Sequence, residues 1–270
     1  MTTKTISAAA NPAMANNIVK EVMAEKPKKI EVKITSPSDT SVTLPGGYVT
    51  EAGEVITDAE VRELNGRDEE AIARASNIGK AFLTILSNGT VRIGDKKADE
   101  ETLNSLLSGD RDTLILAILK ATFGSVADVP AYCYTCKEQK TVAVDLDSDI
   151  PVRTLDDPIR DRVFTVQGKK GSYLVKLPNG NAQKELILSS DKTAAEINTI
   201  LLEKTVVEID GASVLSKFQV QNIGMVDRKT IIDEINKRIP GPQFDPLTVT
   251  CPDCESEVLV PISLGTFFRF

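Results

Sequence analysis

The chain has 270 residues, 41% hydrophobic and 26% charged, with a formal net charge of −7 and no histidine. That length can bury a substantial core and suits one to two domains of an ordinary soluble globular protein. The acidic balance argues against a nucleic-acid backbone as main partner, no apolar run reaches the roughly 20 residues that cross a bilayer, and lack of histidine removes the commonest general acid–base and catalytic-zinc ligand.

Residues 1–28 read as an N-terminal arm, small and polar at first, with a short helix over 16–26 that places Val19, Val22 and Met23 on one face. It is either a disordered tail or an arm that orders against a neighbouring subunit. Residues 6–10 are too short and too weakly apolar for the core of a signal peptide, so synthesis in a cytosol, where thiols stay reduced, is expected. Lys26, Lys28 and Lys29 read as a solvated linker.

From residue 29 to 125 the pattern is a β-rich opening module followed by a helical core. Ile30, Val32 and Ile34 alternate with Glu31 and Lys33, a period of two. Val42 and Leu44 precede the turn signal Pro45-Gly46-Gly47, with Tyr48 and Val49 beyond it, which predicts hairpins. Acids in Asp68-Glu69-Glu70 suit the first turn of a helix through residue 75, and Phe82, Leu83, Ile85 and Leu86 continue an apolar helical face. Residues 91–94 read as a short extended link. A second helical pair covers 100–107 and 111–122, broken at Gly109-Asp110, with Asp110 placed to cap the second member. Leu114, Ile115, Ile118, Leu119 and Phe123 form a broad apolar stripe for a core or a partner.

The first Cys-x-x-Cys pair, Cys133 and Cys136, sits between strands expected at 129–132 and 141–146. Asp145, Asp147 and Asp149 read as a solvated turn, because no bidentate Glu follows at calcium-loop spacing. Segments 164–166, 173–177 and 185–188 suggest a three-stranded meander with turns at Gly168-Lys169-Lys170-Gly171 and Pro178-Asn179-Gly180-Asn181. The first of these turns lacks the spacing and the Ser or Thr of a phosphate-binding loop. A helix over 193–202, a strand over 206–209 and a helix over 226–238 follow, the last stopped by Pro240-Gly241-Pro242.

The second pair, Cys251 and Cys254, lies between strands expected at 247–250 and 258–262. These four are all the cysteines of the chain, and two Cys-x-x-Cys knuckles between strands make a complete tetrahedral set for Zn²⁺. A closed four-thiolate site is structural rather than catalytic. Redox pairs favour helix N-termini, unlike these strand-flanked positions. Phe267, Phe268 and Phe270 end the chain, either as a packing surface for a partner or folded back on the ribbon's own core.

Two segments carry a resemblance. Leu64-Asn65-Gly66-Arg67-Asp68-Glu69-Glu70-Ala71 and Gly109-Asp110-Arg111-Asp112, with Leu114, Leu116, Leu119, Thr122, Phe123 and Gly124, are followed by the first knuckle, the second knuckle and Phe267-Phe268-Arg269. In that order they resemble the T-even baseplate-protein family of tailed bacteriophages, whose members are baseplate hub or tail-tip proteins or tail-assembly chaperones. The resemblance covers about residues 45–146 and 245–270 and implies no catalytic residues.

The expected fold is α+β. A small helical core carries a β-rich N-terminal module over 29–125, and a split Cys₄ zinc ribbon spans 126–150 and 245–270. A β-meander and helix insertion over 151–244 lies between the two knuckles. The expected function is a structural, non-enzymatic component of a phage baseplate or tail tip, located in the virion and made in the host cytoplasm. Its partners would be other tail proteins in a multi-subunit assembly, with no nucleic acid, membrane or small-molecule substrate. The rivals are a tail-assembly chaperone absent from the mature virion and a zinc-ribbon nucleic-acid-binding protein.

Overall fold

The computed structural model describes residues 40–268. The expected arm, the helix at 16–26, the alternation at Ile30–Ile34, Arg269 and Phe270 lie outside the described residues.

Strands β1 (Ser41–Val49) and β2 (Val55–Val61) pair antiparallel, Val42 opposite Ala59 and Val49 opposite Val55. Pro45-Gly46-Gly47 therefore makes no hairpin turn. It is a bulge inside β1, where the register shifts between Thr43 and Tyr48. Gly47 sits at φ +69°, a backbone region where a Cβ is unfavourable. The bulge is held from outside the sheet: the Gly46 amide donates to Asp110 Oδ1 at 2.6 Å, and the Leu155 amide donates to Pro45 O at 3.0 Å.

Helix α1 (Gly66–Ala73) starts at Asn65, whose side chain and Asp68 form a capping box. Asp68 is buried and accepts both Arg62 guanidinium nitrogens, at 2.8 and 3.0 Å, and the Asn88 amide at 3.1 Å. The Arg62 hydrogen bond leads the interactions that hold its carboxyl below the usual range. Helix α2 (Ile78–Gly89) is capped by Asn77 and buries Ala81, Ile85 and Leu86. Strands β3 (Thr90–Ile93) and β4 (Lys96–Lys97) complete the first sheet in the order β1-β2-β3-β4.

Helix α3 (Glu100–Ser105) is capped by Asp99, and α4 (Ser108–Phe123) follows. The chain breaks at Leu106 and Leu107, so α4 begins ahead of the expected break at Gly109-Asp110. Asp110 does not cap it, because it points inward to Gly46. The apolar residues of α4 occupy nearly all its faces, and six consecutive residues from Leu114 to Leu119 are buried. It is thus the central element of the main core. Phe123 leaves the expected stripe and is 64% exposed.

The hairpin β5 (Val126–Cys133) and β6 (Glu138–Asp145) pairs Val126 with Asp145 and Cys133 with Glu138. The short β7 (Val152–Arg153) follows. Strands β8 (Val163–Gln167) and β9 (Ser172–Lys176) form the expected hairpin. Its turn amides, from Lys169 and Lys170, donate to Asp227 at 2.6 and 2.9 Å, and the Tyr173 hydroxyl donates at 2.8 Å. Burial pushes the Asp227 carboxyl up, but the Lys170 amide, the Tyr173 hydroxyl and the Lys169 amide together hold it below the usual value.

Residues 185–188 are not the third strand. They lie in helix α5 (Gly180–Leu188), because the Asn179 side chain accepts the Ala182 amide and the following Ala, Gln, Lys, Glu and Leu favour helix. The expected turn at 178–181 is this helix start. Helix α6 (Ala194–Thr205) is capped by Thr193 with Glu196, and β10 (Val206–Ile209) takes the third place beside β9. Strand β11 (Ala212–Ser213) and helices α7 (Lys217–Gln221) and α8 (Met225–Arg238) follow. They enclose a second core with Val175, Leu202, Val220, Ile231 and Ile235 at its centre. Strand β12 (Gly241–Pro242) then pairs with β7. The chain ends in hairpin β13 (Leu247–Thr250) and β14 (Glu257–Val260) and helix α9 (Leu264–Phe267), which rejoin the main core.

The two cores meet at the first turn of α4. The Ser108 amide donates to Pro178 O, Gly180 to Leu106 O, and Gln183 Nε2 to Asp112. Arg162 Nη2 donates to the Gly46 and Gly47 carbonyls. Arg111 is buried and donates to Leu103 O at 3.3 Å and Asn104 Oδ1 at 3.1 Å; burial lowers its guanidinium to about 10, so it stays charged at neutral pH. The closest approach is at Gly109, where a Cβ would fall 1.5 Å from Pro240 O.

Gly109→Ala is accordingly expected to lose about 3 kcal/mol or more of stability. Gly66→Ala, whose Cβ would meet nothing within 4 Å, is expected to stay within about 0.5 kcal/mol of the parent. Urea unfolding midpoints of the two variants check both values.

Candidate metal centre

Alternation along the ribbon strands sets the direction of the first and third sulfurs. On β5, Val129, Ala131 and Cys133 face inward while their neighbours face out, and on β13 the half-buried Leu247 and Val249 alternate with exposed Thr248 and Thr250 and lead to buried Cys251. Each hairpin then makes a tight knuckle. The residue after the second cysteine takes the left-handed conformation in both cases, Lys137 at φ 57° and Glu255 at φ 58°. That positive φ turns the chain back into β6 and β14, at a steric cost of about 1 kcal/mol for each non-glycine residue.

Local hydrogen bonds fix the knuckles. The Cys136 amide donates to Cys133 Sγ at 3.4 Å, the Glu255 amide to Cys251 O at 3.0 Å, and the Cys251 amide to Ser256 O at 2.9 Å. The Ser256 hydroxyl lies 3.0 Å from Cys254 Sγ and 3.3 Å from Cys133 Sγ.

The structure brings all four sequence-identified cysteines together. Their sulfurs lie within 4.8 Å of one another, with Cys133 3.6 Å from Cys254 and Cys136 3.9 Å from Cys251. Cys133 and Cys251 are buried, Cys136 is half-buried and Cys254 exposed. The Cys136 amide and the Ser256 hydroxyl favour a thiolate at Cys133 and bring it down to about 6, whereas Cys136, hydrogen-bonded to Cys254, is pushed up. One thiolate thus makes the next harder to form, as expected for like charges at this spacing. A cation among the sulfurs would remove that opposition, and these four residues could hold a metal ion.

Contacts outside the cysteines complete the centre. Lys140 on β6 reaches Asp253, between the cysteines of the second knuckle, and Glu138, each at 2.5 Å. It bridges the two hairpins, and the Asp253 hydrogen bond leads the interactions that raise its ammonium. Neither Lys140 nor Ser256 carries a sequence signal for linking the two knuckles, because the contacts that do so, Lys140 with Asp253 and Ser256 with Cys133, cross gaps of more than a hundred residues. Asp145, Asp147 and Asp149 form a self-capped turn: the Asp145 amide donates to Asp149 Oδ2, the Asp147 amide donates to Asp145 Oδ1, and Asp147 pairs with Lys120.

Of the two readings of the aromatic terminus, Phe268 follows the one that folds back on the protein's own core. It is 4% exposed and meets the Phe82 ring of α2 edge to face, with centroids 5.5 Å apart. Phe267 packs partly buried against the same core. The ribbon's end is thereby locked to the helical module. The two resemblance segments also touch, since the Leu64 amide donates to Thr122 Oγ1 at 3.0 Å.

A family model described as T4 bacteriophage base plate protein matches residues 29–269. No curated protein and no solved structure matches the chain.

Phe268→Ala should lower stability by about 3 kcal/mol, the scale of a buried aromatic truncation. Phe123→Ala, at an exposed position, should change it by less than about 0.5 kcal/mol. Chemical denaturation of both variants, compared with the parent, checks the pair.

Proposed function

The chain belongs to the T4 bacteriophage base plate protein family, and from that we propose that it is a structural component of the baseplate or tail tip, making protein–protein contacts in tail assembly. The observation that carries the reading is the extent of the family match, residues 29–269, which takes in both cores and both knuckles. Membership supports a place in the virion tail and partners among other tail proteins.

The ion proposed for the four cysteines is zinc. A Zn–S bond of about 2.3 Å gives a tetrahedron with sulfurs about 3.8 Å apart, and the sulfur pairs at 3.6 and 3.9 Å lie on either side of that edge. Thiolate sets also suit copper(I) and iron–sulfur clusters, but the single-ion spacing argues against a cluster and a closed four-Cys set in two Cys-x-x-Cys knuckles is the pattern of structural zinc. Four protein ligands leave no position for water or substrate, so the ion would hold the ribbon in shape. Cys133, Cys136, Cys251 and Cys254 would each supply one thiolate. Lys140 would offset part of the resulting negative charge.

Mass spectrometry of purified virions tests the role. Peptides of this chain in fixed ratio to other tail proteins are the expected result; their presence in infected cells but absence from virions would transfer the reading to an assembly chaperone. Metal analysis of the purified protein should find about one zinc per chain. Cys133→Ser should lose the ion and lower the thermal midpoint, because structural zinc binding is coupled to folding. Two ions per chain, or none, would overturn the shared site.

A further inference from the structure

We propose that the exposed apolar end of the inserted layer, formed by α7 and the start of α8, docks head to tail on a second copy of this chain, in the acidic groove beside the β1–β2 turn. Leu215 and Met225 are each 88% exposed, Phe218 71% and Val226 61%. Large apolar side chains gathered on one exposed surface mark an interaction site. The surface is held in shape from beneath. Gln219 Oε1 accepts the Leu215 and Ser216 amides at 2.8 and 3.0 Å, and Val220 is buried in the second core. Arg228 of α8 donates to Val220 O at 3.1 Å and to Thr199 Oγ1 of α6 at 2.8 Å. Between α6 and α8 lies a groove of about 610 Å³ with Ile223, Met225 and Ile232 in its lining.

Charge selects the partner. The β8–β9 turn is fastened to the first turn of α8 through Asp227, which places Lys169 and Lys170 beside the apolar residues; a Cβ on Gly224 would lie 3.9 Å from Lys170 Cδ. Lys217 opens α7. All three lysines are exposed, and none is in an ion pair among the described residues. The acids nearest them, Asp227, Asp210 and Glu196, accept backbone amides of Lys169 and Lys170, of Ser172 and of Thr193.

A groove of opposite sign, about 930 Å³, runs between the β1–β2 turn, the β3–β4 turn and the start of α3. Glu51, Glu54, Asp95 and Glu101 line it, exposed and without an ion pair among the described residues, and Lys96 is the cation among them. Half-buried Tyr48, Val49, Val55 and Ile56 give the same groove apolar walls. The tip therefore offers apolar side chains flanked by ammonium groups, and the groove offers apolar walls flanked by carboxylates. Among the described residues no hydrogen bond or ion pair joins the two surfaces within one chain, so both face a neighbour. Two unlike surfaces on each copy make a heterologous contact, which repeats as a ring or a filament.

Sedimentation velocity of the full-length chain tests this at about 50 mM and about 500 mM salt, on either side of the roughly 0.1 M where the Debye length is about 10 Å. The average mass of the wild type is expected to rise with protein concentration at low salt, and association to weaken about tenfold or more at high salt. Lys169→Glu with Lys217→Glu reverses the tip, and Glu51→Lys with Glu54→Lys reverses the groove; all four positions are exposed. Each double variant alone should associate about tenfold or more weakly than the wild type. Mixing the two should restore association, because each reversed surface then meets its complement. Both variants remain net acidic, so overall attraction does not bring them together. Phe218→Ala should weaken association at both salt concentrations. A wild type that stays monomeric throughout would overturn the proposal and leave these surfaces to a different partner. Association that survives both reversals would place the contact elsewhere, such as residues 1–39, and a mixture that restores nothing would sink the pairing of tip with groove.

Discussion

The close contact between the first turn of α4 and the Pro240 carbonyl governs how the rest of the chain is arranged. At Gly109 there is no room for a side chain, so the backbone of the central helix touches the end of the inserted layer directly. A helix N-terminus buried this way leaves polar groups that water cannot reach. The surrounding residues meet part of that demand, leaving Asp110 Oδ2 and Arg111 Nε buried without a partner. Asp110 takes the Gly46 amide, Asp112 takes Gln183, and Arg111 turns to the carbonyl and side chain of α3. The strand bulge at Pro45-Gly46-Gly47 follows from the same constraint, because a regular strand would not bring the Gly46 amide to Asp110.

From the other end of that helix β5 leads out to the cysteine cluster. Hairpins from two distant parts of the chain meet at four sulfurs and are bridged by Lys140. Beyond the second hairpin, Phe268 reaches Phe82. The inserted layer therefore leaves and returns between two fixed points: the seam at Gly109 and the ribbon at the knuckles. A chain built this way can carry a large insertion without losing the geometry of the main core. The resemblance segments lie at these joints, with Asp68 and Thr122 tying the helical module and Gly109 to Asp112 tying the seam.

Much of the local structure was legible in the residues. Thr193 with Glu196 marks the start of α6, the Cys-x-x-Cys pairs mark both knuckles, and β10 matches its expected strand at 206–209. Where local signals were ambiguous, the longer context decided. Residues 185–188, Glu-Leu-Ile-Leu, form a short apolar run like a strand's, yet the cap at Asn179 commits them to helix before that run begins. Pro45-Gly46-Gly47 has the composition of a turn, but its partners, Asp110, Leu155 and Arg162, are far away in sequence.

The sequence by itself determined the α+β composition, the starts of α3, α6 and α8 and the pairing of the four cysteines into two knuckles, since caps, periodicity and ligand spacing act within a few residues. Only the tertiary structure decided that Asp110 is a buried acceptor instead of a cap, that Phe268 closes on Phe82, and that Lys140 spans the ribbon. Each of these depends on which distant backbone or ring arrives beside it. A side chain's identity fixes what it can bond, and packing fixes which partner is within reach once water has been excluded.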